Sequence, residues 1–276
     1  MNIAIIIHLY HTYLYDEFLG YINNVKQVFK NVTVIITIND SNFKNVIHKK
    51  NPEFIVIILE NKGVDVYAFI KSILYLRQNN IHIDYILKLH TKISSCVKED
   101  LINWRKDLIK PLVTNYNLAL FKHYFTTMEN LGCISSQKCV FPRNFDYFYY
   151  PQIIDGVQIL ISRFPHLEKN WTEFNGGNMI WINDKVLYKY LTDDLIDFLF
   201  KQFHNGKPPN DDSISYEYIC ERIFTGLFCY DTTNILVNEY NGTVTGYNRS
   251  YPNQICYQPK TINFYKPKEL YETLHI

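Results

Sequence analysis

No segment of the 276 residues strings together the roughly 18 apolar residues that a membrane helix requires. The apolar opening run, Ile3 to Ile7, is too short for a signal peptide and has no basic leader, so it is read as a first strand and the chain as cytoplasmic. C-x-x-C spacing is also missing. Cys96, Cys133, Cys139, Cys220, Cys229 and Cys256 are scattered, which argues against a zinc ribbon or a redox pair and predicts reduced thiols. Neither sign of charge is in excess: the formal net charge is +1, so there is no global basic field for nucleic acid or an anionic membrane, and partners must be recognised locally. Repeats, heptads and low-complexity segments are absent, which disfavours a structural protein. Asn31, Asn170, Asn241 and Asn248 stand in N-x-S/T sequons, but an Asn-rich chain without a secretory route makes these by chance.

What is present is a chain with 47% hydrophobic and 20% charged residues, enough for one large domain or two small ones with a proper core. Its first half alternates strand and helix. Ile3 to Leu9, Asn31 to Ile38, Phe54 to Leu59 and Asp84 to Lys92 read as buried strands. Asp16 to Phe29 and Val64 to Leu76 carry apolar residues at helical spacing. A short polar helix runs to Lys50, with Ser41 as its expected cap. Strands separated by helices of this length predict parallel pairing with right-handed crossovers, hence a doubly wound α/β sheet of the nucleotide-binding type.

Further along, helices are expected over 98–113 and 117–130, a short strand over 132–135, a strand over 178–182, and helices over 184–200 and 212–224. The aromatic stretch 137–165 reads as irregular, and the Tyr-rich segment after Thr232 has only weak strand-like pieces. Three regions follow: 1–135, 136–231, and 232–276 as a tail packed on the same domain.

Four constellations carry possible chemistry. Asp84 to Lys92 ends abruptly in His90, Thr91 and Lys92; His90 and Lys92, two apart on a strand, point the same way and suit an anionic group such as a diphosphate. A solvated strand end is the competing reading. Asn61-Lys62-Gly63-Val64-Asp65 follows a strand and opens a helix, where Gly63 permits a tight turn and helix N–H groups favour an anion. There Lys62 adds charge and Asp65 is placed to accept from a sugar hydroxyl, unless the segment is only a turn with a helix-start carboxylate. Phe174-Asn175-Gly176-Gly177-Asn178-Met179-Ile180-Trp181 puts paired glycines before a strand, for close approach to a ligand, with Trp181 either on a sugar face or in the core. Asp211-Asp212 precedes a helix carrying Glu217 and Glu221, carboxylates of the kind that deprotonate an acceptor hydroxyl or merely cap and solvate a helix.

The order of these pieces resembles the rhamnan synthesis protein F family of bacterial polysaccharide biosynthesis, which looks like a divergent glycosyltransferase group of the GT-A type. The resemblance rests on Ile3 to Leu9 with His8, Asn61-Lys62-Gly63-Val64-Asp65-Val66, Lys88-Leu89-His90-Thr91-Lys92, Trp104-Arg105, Phe174-x-x-Gly177-x-Met179-x-Trp181 and Glu221-Arg222. It spans roughly residues 3 to 225. Where the family often has His three residues before the Glu-Arg pair, this chain has Tyr218.

The resemblance implies a GT-A-like, Rossmann-type, mostly parallel sheet flanked by helices, with an aromatic-rich C-terminal acceptor side. It also implies an inverting transfer of a rhamnosyl or related deoxysugar from a UDP- or dTDP-sugar to a glycan or glycoprotein acceptor. His8, Asn61, Lys62, Gly63, Asp65, His90, Thr91 and Lys92 would bind the donor, Gly176, Gly177 and Trp181 would line the acceptor side, and Asp212, then Glu217 and Glu221, would supply the base. GT-A enzymes usually hold Mg²⁺ or Mn²⁺ on Asp-x-Asp at the strand end occupied here by His90-Thr91-Lys92. No metal or other cofactor is therefore expected, with His90 and Lys92 taking over the metal's charge. The alternative is a carbohydrate- or nucleotide-binding module that kept the fold and lost catalysis.

Overall fold

The computed structural model describes residues 1–91, 100–142, 151–169, 171, 173–206, 208, 214–228, 232–237 and 245–248. Eight strands form one sheet: β1 (Asn2–His8), β2 (Asn31–Ile38), β3 (Ile55–Ile58), β4 (Tyr85–His90), β5 (Leu131–Ser136), β8 (Ile180–Asn183), β9 (Thr233–Val237) and β10 (Thr245–Asn248). Their order is β10-β9-β5-β8-β4-β1-β2-β3. β3, β2, β1 and β4 are mutually parallel, β5 and β9 run the same way, and β8 and β10 run against them. This is the predicted α/β architecture with a mostly parallel sheet. A small antiparallel pair, β6 (Val140–Pro142) with β7 (Glu173–Asn175), lies outside it.

Period-two alternation divides the side chains between two cores. Ile3, Ile5 and Ile7 of β1 and Leu87 and Leu89 of β4 face α1 (Tyr15–Val28), α2 (Phe43–Lys50), α4 (Asp100–Val113) and α5 (Asn115–Thr127). Ala4, Ile6 and Ile86 face α3 (Val64–Gln78), α6 (Pro151–Arg163), α7 (Asp184–Tyr190), α8 (Asp193–Gln202) and α9 (Tyr216–Phe228). A sheet covered on both faces needs continuous apolar strands, which β1 and β2 supply.

Several expectations are corrected. β3 is the sheet edge and half-exposed rather than buried. The short second helix is preceded by Asn42, and neither Ser41 nor any other side chain caps it. The helix expected over 184–200 is two, because the backbone leaves helical geometry at Leu191 (ψ 76°) and Thr192 (ψ 157°) before α8 starts at Asp193. The stretch 137–165 contains a full helix, α6, while its densest aromatic run, 143–150, lies outside the described residues. α9 begins at Tyr216, and Asp211 and Asp212 lie outside the described residues. The segment after Thr232 extends the main sheet through β9 and β10. Cys133, Cys139 and Cys220 are buried free thiols, and no described helix is long and apolar enough to cross a membrane.

Candidate functional site

The carboxyl edge of β1 and β4 carries a cluster of polar side chains on the α3 face. His8 stands opposite His90 in register, and Lys88 opposite Ile6, so all three project from the face that carries Ala4, Ile6 and Ile86. Each is nearly buried: His8 is 7% exposed, Lys88 2% and His90 6%. A buried ammonium needs an anion, because desolvation alone costs several kcal/mol per ion. Lys88 finds one in Asp65, in the first turn of α3, with Nζ 2.5 Å from Oδ2, and also donates to the Asn178 carbonyl at 2.8 Å. Asp65 Oδ2 further accepts from Asn178 Nδ2 (3.2 Å) and lies 3.5 Å from His90 Nδ1. Asp65 is therefore the centre of a buried charge network, and one of its oxygens is occupied by protein rather than by a sugar hydroxyl.

His8 shares its Nδ1 with the Thr37 hydroxyl at 2.9 Å. Burial above all, with help from the Lys88 and His11 charges, pulls its pKa down to about 4 against the opposing pull of Asp65 and the Thr37 bond. At neutral pH His8 thus enters the site as an uncharged hydrogen-bonding group. Thr91 is a tether: its hydroxyl accepts from His11 N (3.0 Å) and its own N–H reaches His8 O (3.0 Å), which fixes the loop after β1 to the end of β4. Lys92, the second cation expected at this strand end, lies outside the described residues. The aligned pair that the structure places on β4 is Lys88 with His90.

The turn before α3 is held from the far half of the chain. Gly63 N donates to His204 O (2.9 Å), Gly206 N to Asn61 O (2.6 Å), and Lys62 bridges Asn205. The Gly63 N–H is thus taken by protein, not left for an anion. Gly63 has φ +58°, and a Cβ there would meet Tyr67 Cβ at 2.6 Å. Val64, at φ 50°, is a β-branched residue in the left-handed region, a conformation that costs of order 1–3 kcal/mol. Asn178 has φ 53°. Both of these strained positions adjoin the Asp65–Lys88 pair, one just before Asp65 and the other supplying its partner's carbonyl.

The glycine pair before β8 is required by packing. A Cβ on Gly176 would strike the Phe141 ring (2.5 Å), and one on Gly177, at φ +89°, would strike Leu108 (2.7 Å). Gly177 N donates to Glu221 Oε1, whose other oxygen pairs with Arg222 Nη1 at 2.8 Å. Glu221 therefore clamps the glycine loop to α9. Glu217 is 2% exposed and accepts from His204 N (2.7 Å) and Ser215 Oγ (2.9 Å), so it is out of a substrate's reach as a direct base. Trp181 is corrected outright. It is fully buried on the opposite face of the sheet, among Phe29, Phe121 and Phe125, and its indole N–H donates to Leu112 O at 3.0 Å. Alternation forces this, since Ile180 and Ile182 take the α3 face.

The remaining motif residues fit the same frame. Arg105 holds Glu17 through two nitrogens (3.2 and 3.0 Å), joining α4 to α1. Residues 1–230 match the family model of rhamnan synthesis protein F. The chain belongs to the rhamnan synthesis protein F family. No curated protein matches it. In this member of the rhamnan synthesis protein F family, the carbonyl of Tyr218, three residues before Glu221, accepts from Arg222 Nη1 at 3.3 Å.

Two groups escaped the sequence reading of the site. Lys88 shows no role from sequence alone, because its partner Asp65 is 23 residues away and on another element. Asn175, 2% exposed, carries a side-chain amide with neither atom partnered among the described residues. Cys220 lies close enough to Glu217 and Asp65 to feel both charges, and burial, more than either carboxylate, pushes its thiol well up. It is an unreactive neighbour. Mg²⁺ and Mn²⁺ want carboxylate oxygens, and this strand end offers Lys88 and His90, with Asp65 Oδ2 already taken. Among the described residues no three His, Cys, Asp or Glu stand together in a metal-holding group. The donor set here does not suit such an ion.

Proposed function

We propose that the protein is a glycosyltransferase of polysaccharide biosynthesis that moves rhamnose or a related deoxysugar, with inversion, from a UDP- or dTDP-sugar to a glycan or protein-linked acceptor. Family membership supports the pathway class. The observation that carries the chemistry is the buried Asp65–Lys88–His90 cluster at the carboxyl edge of β1 and β4, where ligands of open α/β sheets bind. As the glycosidic bond breaks, negative charge grows on the departing diphosphate, and fixed cations aimed at it lower the barrier. Lys88 is held by Asp65, so its role is to fix that carboxylate beside His90; His90 and Lys92 then meet the diphosphate, with neutral His8 adding hydrogen bonds.

The test is release of free nucleoside diphosphate from a panel of UDP- and dTDP-sugars, with product stereochemistry read by NMR. Turnover is expected with a deoxysugar donor and is expected to persist in excess chelator. Saturable nucleotide binding without turnover of any donor would replace this reading by that of a binding module. Loss of turnover in chelator, restored by Mn²⁺ or Mg²⁺, would overturn the metal-free part alone.

A further inference from the structure

Glu217 is buried, yet the side chain it faces is not. Its Oε2 lies 3.3 Å from His204 Nδ1, and the imidazole is 31% exposed while Glu217 is 2% exposed. A carboxylate offers only acceptors, so the nitrogen turned to it carries the hydrogen, and the lone pair is left on Nε2. No described residue makes a hydrogen bond or ion pair with Nε2. Glu217 cannot swing away, because its Oε1 accepts from the His204 backbone and its Oε2 from Ser215. The same His204 gives its carbonyl to Gly63 N, two residues from Asp65, so the ring is anchored beside the first turn of α3. A buried acid and the imidazole that it orients, on a residue whose carbonyl holds the turn that opens α3, make a base with a fixed tautomer.

Resting on the glycosyl-transfer reading, we infer that His204 is the catalytic base that activates the acceptor, and that Glu217 is its positioning residue. The acceptor hydroxyl oxygen bonds to the anomeric carbon of the donor while its proton passes to His204 Nε2. The bond from that carbon to the diphosphate oxygen breaks, and its electron pair leaves with the nucleoside diphosphate. The imidazolium then returns the proton to water. This moves the base from the carboxylates expected in sequence to a histidine that no motif marked, and gives Glu217 a task that its burial permits.

The experiment uses the full chain, the UDP- and dTDP-sugar panel, and water or p-nitrophenyl glycosides as acceptors. His204→Ala keeps the backbone carbonyl that holds Gly63, so the fold should survive, with calorimetric affinity for UDP or dTDP unchanged. Its kcat should fall about a hundredfold or more, as for loss of a general base, and added imidazole should restore part of it. Glu217→Gln should lower kcat about tenfold without changing KM for the donor, as for loss of a partner that fixes a base. His204→Asn separates the roles: an amide N–H can still serve Glu217 but cannot take a proton, so this variant should be as slow as His204→Ala. Activity restored by His204→Asn, or a His204→Ala rate within threefold of wild type, would overturn the assignment while leaving glycosyl transfer standing. A wild-type chain that turns over no donor would overturn both.

Discussion

Replacing Lys88 by Met tests whether the Asp65 network is as tightly interdependent as its geometry requires. The ammonium is 2% exposed, 2.5 Å from Asp65 Oδ2 and 2.8 Å from Asn178 O, and sits 5.4 Å from the centroid of the Phe69 ring. Met fills most of the same volume, so the packing loss is small and the change isolates the charge. Asp65, whose side chain is only 14% exposed, loses its counter-ion and keeps the Asn178 amide and the His90 ring. Breaking one half of a buried pair costs about 3–5 kcal/mol. For 276 residues, at roughly 2 cal/mol/K of unfolding entropy per residue, that lowers Tm by about 5–9 °C. Differential scanning calorimetry of Lys88→Met, Asp65→Leu and the double variant reads it directly. The double variant removes both charges and should recover to within about 1 kcal/mol of wild type, since a matched apolar pair is no worse than a buried ion pair. A single variant that melts within about 1 °C of wild type, or a double variant no better than the worse single, would refute the argument.

His8 sets an acid limb. Its folded pKa of about 4 lies below the ordinary 6.5, so between those values the unfolded chain takes a proton that the folded one refuses. The resulting contribution is complete above about pH 6.5 and is lost as pH falls towards 4, about 3 kcal/mol in all; urea melts of His8→Gln, which can still bond Thr37, should show that limb flattened. Trp181→Phe should cost about 2–3 kcal/mol, through the lost indole bond and reduced packing, with donor KM and kcat of the folded enzyme unchanged; a kinetic defect would bring Trp181 back to the site. Val64→Asn should raise stability by about 1 kcal/mol, because Val64 is 37% exposed and Asn tolerates its φ of 50° better; an unchanged or lowered Tm would mean that the strain is not stored there.

The half of the fold built from β1, β2, β4, α1 and α3 was legible, because alternation and helical spacing are local signals in uniformly apolar segments. Where pairing is remote the signal fails. Lys88 interrupts the apolar run Tyr-Ile-Leu-Lys-Leu and looks like the first sign of a solvated end, since nothing nearby in sequence shows that Asp65 and the Asn178 carbonyl will neutralise it. Trp181 could have been assigned correctly from Ile180 and Ile182 alone, whose shared face excludes it from the site. The helix α6 was hidden by the aromatic run before it, and the break at Leu191–Thr192 by apolar spacing that continues across it. The Glu217–His204 contact spans 13 residues and joins the loop after α8 to α9, so the carboxylate was visible as a candidate and its histidine was not.

The antiparallel strand β8 has a consequence for how the chain is made. It sits between β4 and β5, so β4 has no neighbour on one side until residues 180–183 are synthesised. Because β8 runs backwards, its leading end brings Asn178 to the carboxyl edge, and Lys88 waits about 90 residues for that carbonyl. A nascent chain that stops after β5 thus presents an open strand edge, the kind of surface that pairs with other chains. Ordering of the candidate site is tied to late, long-range docking, which folds slowly. Fragments truncated between β5 and β8 should therefore aggregate rather than yield a stable half-domain that binds nucleotide.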